Sequence, residues 1–136
     1  MATSTVTYEG ELRCALTHDA TGTTVATDAP VDNRGRGECF SPTDLVASAT
    51  AACMLTIMGI RAADRGWDLG AARATVNKHM VADPRRRIGR LEIAIAVPTD
   101  LDAEARAVLE EAARTCPVKE SLHAGIELDL SFRWGA

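Results

Sequence analysis

Aromatic residues are scarce in this sequence of 136 residues, since phenylalanine, tryptophan and tyrosine together make up 4% of it. So few rings provide no stacking platform for the bases of a single-stranded nucleic acid. A basic excess is also absent, because 15 lysines and arginines stand against 19 aspartates and glutamates, for a net charge of −4. These two absences exclude a general nucleic-acid binder, and we expect no nucleic-acid partner.

The N-terminus lacks the basic stretch followed by an apolar stretch that marks a secretory signal, so we expect a cytoplasmic protein. In that compartment the cysteines at 14, 39, 53 and 116 are expected to serve as thiols or transient redox partners rather than as structural disulfides. The sequence contains no Cys-x-x-Cys pair. We therefore predict no metal site.

What the sequence does contain is the composition of a soluble globular protein, 46% hydrophobic and 25% charged. Its length suits one domain, and we predict a single domain over residues 1–136. Runs of β-branched and alternating residues predict strands at 3–8, 11–18, 23–27, 72–80, 88–97 and 126–134. A loop over 28–40 and a helix over 101–115, capped by Thr99 or Asp100, lie among them. This order predicts an α+β fold without a βαβ glycine fingerprint.

The clearest signal is a long central helix. Ser41 and Asp44 have the spacing of a capping box, with Pro42 at the first helical position between them. No charge occurs from residue 45 to residue 60, and Gly66 follows the run. The uncharged stretch is shorter than the roughly 20 residues that span a bilayer, so we expect no membrane partner. We predict instead a buried helix of about 24 residues, 1.5 Å per residue, which one small domain cannot cover alone. An obligate dimer is therefore expected.

Two cysteines stand where chemistry is possible. Cys53 lies in the middle of the predicted helix, either as a small buried hydrophobe or as a functional thiol. Cys116 precedes Pro117 at a helix boundary, where the N-terminus of a following helix favours a thiolate. His123 lies close enough in the sequence to act as a base for Cys116, or it is a plain surface histidine.

Arginines precede the central helix in the loop. A thiolate at neutral pH needs a cationic or hydrogen-bonding neighbour, because burial alone raises the pKa of a thiol. Arg34 and Arg36 are candidates for that neighbour, and the alternative is that they belong to a solvated loop.

Three stretches together resemble a known family. They are Gly37-Glu38-Cys39-Phe40-Ser41-Pro42-Thr43-Asp44-Leu45, Ala51-Ala52-Cys53 and Thr115-Cys116-Pro117-Val118. In this pattern and in its element order the chain resembles the OsmC/Ohr family of osmotically inducible and organic hydroperoxide resistance proteins. The resemblance implies an OsmC-like fold, with antiparallel sheets wrapped around long central helices in an intertwined homodimer.

The resemblance also implies a chemistry. Family members reduce organic, and in some cases inorganic, hydroperoxides in oxidative-stress defence without a bound metal or flavin. Carried over to this chain, Cys53 is the attacking thiolate and Cys116 the resolving thiol. A sulfenic acid on Cys53 then condenses to a Cys53–Cys116 disulfide. An external dithiol, such as a lipoyl protein, restores the reduced enzyme.

The sequence departs from the hydroperoxide branch of the family at one position. That branch has a glutamate directly after the helix-starting proline, and here the residue is Thr43, followed by Asp44. Asp44 is a candidate for the missing carboxylate or is part of the cap alone. Arg13, Arg34 and Arg36 are candidates for the activating arginine, with Arg36 and Arg34 favoured by their place in the loop. The chain is thus more similar to the broader OsmC-like branch. A redox-sensing or small-molecule-binding dimer with little turnover is the alternative function.

Overall fold

The computed structural model describes residues 2–135 and has an α+β architecture, as predicted. The elements in chain order are β1 (Ser4–Gly10), β2 (Arg13–His18), β3 (Thr24–Asp28), a 3₁₀ turn (Val31–Asn33), α1 (Pro42–Arg65), β4 (Arg73–Val81), β5 (Arg87–Val97), α2 (Ala103–Arg114), α3 (Pro117–Glu120) and β6 (Glu127–Trp134). The chain forms two compact units, Met1–Val46 and Ala47–Ala136.

The first unit is built on the antiparallel sheet β1-β2-β3. β1 pairs with β2 from Ser4↔His18 to Gly10↔Arg13, with an irregularity between Tyr8 and Gly10. The chain reverses at Glu11 and Leu12, both of which have positive φ. Strand β1 therefore runs two residues further than the sequence predicts.

The loop after β3 is folded back tightly on itself. The N–H groups of Gly35 and Gly37 donate to the carbonyls of Pro30 and Ala29, at N···O distances of 2.9 and 3.2 Å. A Cβ at Gly35 would lie 1.7 Å from the Ala29 carbonyl oxygen. Only glycine fits at that position, so the loop has a defined shape.

The second unit is built on the sheet β4-β5-β6, with β5 in the centre. β4 runs antiparallel to β5, but β6 runs parallel to it. The prediction of antiparallel sheets is therefore wrong for this one pairing, because α2 and α3 lie between β5 and β6 and allow the crossover that a parallel pair needs. The sheet is mixed.

One face of this sheet carries the hydrophobic core. The inward side chains of β5 are almost fully buried, and they cluster with one face of α1 and one face of α2. The largest fully buried side chains of this core cluster are Met54, Met58, Leu91, Ile93, Ile95, Val97 and Leu109. The opposite face of the sheet alternates with it and is exposed along β4 and β6.

The central helix has the predicted length of 24 residues. Its start is a capping box, since Ser41 Oγ accepts the N–H of Asp44 at 3.1 Å and the Asp44 carboxylate accepts the N–H of Ser41 at 2.9 Å.

The second helix begins later than predicted. Its cap is Asp102, which accepts the N–H of Ala105 at 2.9 Å, and neither Thr99 nor Asp100. Those two side chains have other partners, because Thr99 donates to the carbonyl of Asp68 and Asp100 pairs with Arg106.

Candidate functional site

Two cysteine thiols meet in the second unit. Cys53 lies in the middle of α1 and is half-buried, and Cys116 directly precedes α3 and is fully buried. The two thiols lie close enough that Cys53 raises the pKa of Cys116. The structure therefore brings together the pair that the family resemblance selects, although 62 residues lie between them in the sequence.

The environment of Cys116 favours its protonated form. Burial raises the pKa of the Cys116 thiol above its ordinary 9.0, and the interaction with Cys53 adds to the rise. The N–H of Lys119 donates to Cys116 Sγ at 3.4 Å and acts in the opposite direction. The expectation that a following helix N-terminus favours a thiolate here is wrong, because desolvation outweighs that one turn of backbone donors.

His123 does not form the expected base for Cys116. Its Nδ1 accepts the N–H of Gly125 at 2.8 Å, and the side chain is exposed. The groups that interact with the Cys116 sulfur are the backbone of α3 and Cys53. In the part of the chain that the structure describes, the titratable neighbour of Cys116 is therefore Cys53 and not His123.

A second set of candidate residues lies in the first unit, around Glu38. Arg13 and Arg36 both approach Glu38 Oε1, at 3.6 and 3.8 Å, and Arg36 also pairs with Glu11 at 3.5 Å. Arg13 Nη2 lies 3.8 Å from Cys39 Sγ. We call these five residues the Glu38 cluster. Arg13 is its most enclosed cation, with 31% of its side chain exposed against 60% for Arg36.

The other two predicted activating residues are not members of this cluster, although Asp44 lines a shallow pocket together with Glu38 and Cys39. Arg34 is exposed in a left-handed conformation at the end of the 3₁₀ turn, and within residues 2–135 it forms no ion pair. Asp44 caps α1, as described above. The geometry therefore groups Arg36 with Arg13, whereas the sequence favours Arg36 with Arg34.

Asp28 is a site residue that sequence reasoning missed. It is 1% exposed, and its Oδ2 accepts the N–H of Glu38 at 3.1 Å. Its Oδ1 is buried with no hydrogen-bond partner in the part of the chain that the structure describes. Asp28 thereby holds the segment that carries Glu38 and Cys39. An aspartate at the end of a β-branched run gives no sequence signal of such burial.

Comparison with solved structures finds the same fold with close agreement. A protein of Psychrobacter arcticus 273-4, provisionally named an osmotic stress induced and detoxification response protein, is 45% identical, with a TM-score of 0.93 over 98% of this chain and 96% of that one. The organic hydroperoxide resistance protein OsmC of Legionella pneumophila is 18% identical, with a TM-score of 0.78 over 98% of both chains.

A third solved structure carries a bound molecule. It is a provisionally named organic hydroperoxide resistance protein of Vibrio cholerae O1 with captopril in one of its active sites. It is 17% identical, with a TM-score of 0.75 over 97% of this chain and 92% of that one. At this identity the likeness shows the fold alone.

No curated protein sequence matches this chain significantly. The family model of the OsmC-like proteins, however, matches residues 35–131. This span contains the cap of α1, both contacting cysteines and the whole second sheet up to Ser131. Together with the close Psychrobacter structure, the match shows that this chain belongs to the family of OsmC-like proteins.

Proposed function

We propose that this protein is a cysteine-based hydroperoxide reductase in which Cys53 attacks and Cys116 resolves. The observation that carries the proposal is that two thiols far apart in the sequence interact, one on the long helix α1 and one at the boundary before α3. Solved proteins of the same fold bear the name of organic hydroperoxide resistance. That name supports the reaction class and leaves the roles of the residues to be tested.

The first step oxidises Cys53. Its thiolate attacks the terminal oxygen of the hydroperoxide, the O–O bond breaks, and the leaving alkoxide takes a proton to become an alcohol. Cys53 becomes a sulfenic acid. The environments support these two roles, since burial raises the pKa of Cys116 and favours its protonated form, whereas Cys53 is half-buried on α1.

The second step joins the two sulfurs. The thiol of Cys116 attacks the sulfur of the Cys53 sulfenic acid, an S–S bond forms, and the hydroxyl leaves as water after taking the thiol proton. Formation of the disulfide requires Cα atoms within roughly 7 Å, and in this proposal a small movement of the chain before Pro117 completes the approach of Cys116 to Cys53 where it is needed. An external dithiol then reduces the disulfide by two thiol–disulfide exchanges and is itself oxidised. No bound metal or flavin takes part.

A cation near Cys53 is part of the proposal. Arg36 and Arg34 are the candidates favoured by sequence, and the Glu38 cluster adds Arg13. An ion pair with the Glu38 carboxylate fixes the orientation of an arginine side chain. The guanidinium still has N–H groups that can donate to a second acceptor. Replacing each arginine by glutamine in turn, and comparing the rate of the first oxidation of Cys53, identifies the activating residue.

We also propose that the functional form is a homodimer. Helix α1 has a mean hydropathy of 1.6 over its most apolar 18 residues, yet only 33% of that stretch is buried within the single chain. Ile60 on this helix is 53% exposed. An obligate interface over this helix is expected to bury more than roughly 2,000 Å². A folded monomer in light scattering at micromolar concentration would contradict the dimer.

The deciding experiment follows consumption of cumene hydroperoxide and of hydrogen peroxide with a dithiol donor. Cys53→Ser should lose both the first turnover and steady-state consumption. Cys116→Ser should consume one equivalent and accumulate a sulfenic acid on Cys53, which dimedone traps. Cys14→Ser, a half-buried cysteine outside the pair, is the matched control and should keep full activity.

Two outcomes would contradict this assignment. A dimedone adduct on Cys116 in the Cys53→Ser protein, with none on Cys53 in the reverse variant, inverts the roles. Oxidation of the pair without measurable turnover favours the redox-sensing or small-molecule-binding dimer.

A further inference from the structure

The exposed face of the second sheet carries a groove that the peroxidase proposal does not use. It has a volume of about 350 Å³ and lies at one end of the sheet. Its side chains alternate with those of the core, so the groove opens on the face opposite the buried Cys116. The lining side chains on this face are Arg73, Thr75, Ala94, Ala96, Ser131 and Arg133.

Strand register arranges these side chains in two adjacent rows. Arg73 pairs with Ala96, which in turn pairs with Arg133. In the next row Thr75 pairs with Ala94, and Ala94 with Ser131. Each row therefore has a polar side chain on both outer strands and an alanine on the central strand. The short alanines form a floor, with the longer polar groups standing on either side.

In the part of the chain that the structure describes, no acid neutralises the two arginines. Within residues 2–135 neither Arg73 nor Arg133 has an ion pair or a side-chain hydrogen bond. Two carboxylates further along the same face are already engaged, since Arg90 binds Asp129 and Glu92 at 2.5 and 3.4 Å. Asn77 also donates to Glu92 at 2.9 Å. One end of this face therefore carries the ion pairs around Arg90, and the other end carries the positive charges of Arg73 and Arg133.

The spacing of the arginines suits one small anion. Neighbouring strands lie about 4.8 Å apart, so two steps place the Arg73 and Arg133 backbones about 10 Å apart across the alanine floor. Guanidinium groups on side chains of that length reach a common oxyanion from both sides, each with a fork of N–H donors. The hydroxyls of Thr75 and Ser131 lie one row further on and supply two more donors.

We propose that this groove binds a small phosphomonoester. Two uncompensated positive charges match a phosphate dianion, and the forked donors with the two hydroxyls match its three terminal oxygens. The volume corresponds to the lower end of the range for small-ligand sites and leaves room for an organic group beside the phosphate, over the apolar alanines. A carboxylate, with one charge and two oxygens, uses only part of this donor set.

The test is a titration followed by backbone NMR at low ionic strength, with phenyl phosphate, inorganic phosphate and benzoate as separate probes. Phenyl phosphate should produce saturable shifts at the amides of Thr75, Ala94 and Ser131, with a dissociation constant on the order of millimolar or tighter. Inorganic phosphate should bind the same amides more weakly, and benzoate more weakly still.

Arginine variants show whether the groove itself is the site. Arg73→Gln and Arg133→Gln should each weaken phenyl phosphate binding by about tenfold or more, because each removes charged hydrogen bonds. Arg133→Lys, which keeps the charge but loses the fork, should weaken it less. Arg85→Gln, in the exposed turn between β4 and β5, removes the same charge elsewhere and should leave the affinity unchanged. Unchanged thermal midpoints without ligand show that the variants fold.

Three results would overturn the proposal. The first is the absence of saturable shifts at these amides. The second is an equal loss of affinity in Arg85→Gln, which would mean that only net charge matters. The third is binding of benzoate or inorganic phosphate as tightly as phenyl phosphate, which would reject the phosphomonoester. None of these results depends on peroxide chemistry, so the groove and the thiol pair are tested separately.

Discussion

The two compact units of this chain differ in what they bury. All the buried hydrophobic residues come from the second unit, where Met54, Leu91 and Leu109 are fully enclosed. The buried residues of the first unit are polar, namely Thr27, Asp28 and Ser41. Seven of its large apolar side chains are exposed, at Val6, Tyr8, Leu12, Val25, Val31, Phe40 and Val46.

This difference shows which of the two sheets has its hydrophobic face covered within the single chain. A three-stranded sheet needs a covered hydrophobic face to be stable, and the second sheet has one in α1 and α2. The first sheet leaves Val6 and Tyr8 58% and 64% exposed. Clustered exposed apolar residues mark interaction surfaces. The comparison therefore agrees with the proposed dimer, in which a second copy supplies what the single chain lacks.

The largest expected effect is a cavity in the core of the second unit. Leu109→Ala should lower the free energy of unfolding by about 2–5 kcal/mol, because the fully buried leucine is replaced by a void that its neighbours fill only in part. Urea denaturation measures the change.

Val25→Ala in the first unit is the matched variant, since 41% of Val25 is exposed in the single chain. Its cost should be below about 1 kcal/mol if nothing covers that face. A cost approaching that of Leu109→Ala would show that a partner buries Val25, as the proposed dimer requires, and that the contrast between the two units holds only for the single chain.

The next largest effect concerns the loop of the first unit, where order comes from close backbone approach instead of a core. Gly35→Ala should destabilise the protein by about 1–3 kcal/mol, because its Cβ has no space beside Ala29. Hydrogen exchange should show lost protection at the amide of Gly37. Gly59→Ala on α1 is the control, since a Cβ there meets nothing within 4 Å. Native protection at Gly37 in the Gly35→Ala protein would contradict the tight loop.

The next prediction concerns the pH dependence of stability that the thiol of Cys116, in the second unit, produces. Because the folded pKa of Cys116 is raised, the unfolded chain loses this proton near 9.0 while the folded chain retains it. The stabilising contribution is therefore complete below pH 9 and is lost as the pH rises through the folded pKa. Under reducing conditions, stability between pH 9 and 10.5 should fall more steeply in the wild type than in Cys116→Ser, by at most about 1.4 kcal/mol per pH unit. Parallel curves would mean that Cys116 ionises normally.

Sequence reasoning succeeded where the signals are local. Both ends of α1 follow from Ser41, Pro42 and the charges beyond residue 60, and β6 follows from its strict alternation. It failed where several neighbouring residues could each cap the same helix. Thr99, Asp100 and Asp102 are all good caps, and long-range partners for the first two decide the choice.

The contacts of the candidate site also could not be predicted from local signals in the sequence. The contact of Cys53 with Cys116 was expected from a family resemblance, since nothing in the spacing of the two cysteines specifies it. The contacts of Arg13 with Glu38 and Cys39 cross 25 and 26 residues and depend on how the loop folds back over β2. The burial that raises the pKa of Cys116 is likewise a property of the packed core.

The smallest expected effect lies at the one element that both units share. Helix α1 begins in the first unit and has its buried face in the second, so its cap reports on both. Ser41→Ala removes the acceptor for the N–H of Asp44 and should cost about 1 kcal/mol. Ser41→Asp keeps an acceptor at the same place and should recover most of that loss. If the core of the second unit alone determines the helix, fraying should stop before Ala47, and the amides of residues 50–58 should keep their hydrogen-exchange protection in Ser41→Ala. Lost protection that extends to Cys53 would instead show that the cap in the first unit sets the order of the thiol site.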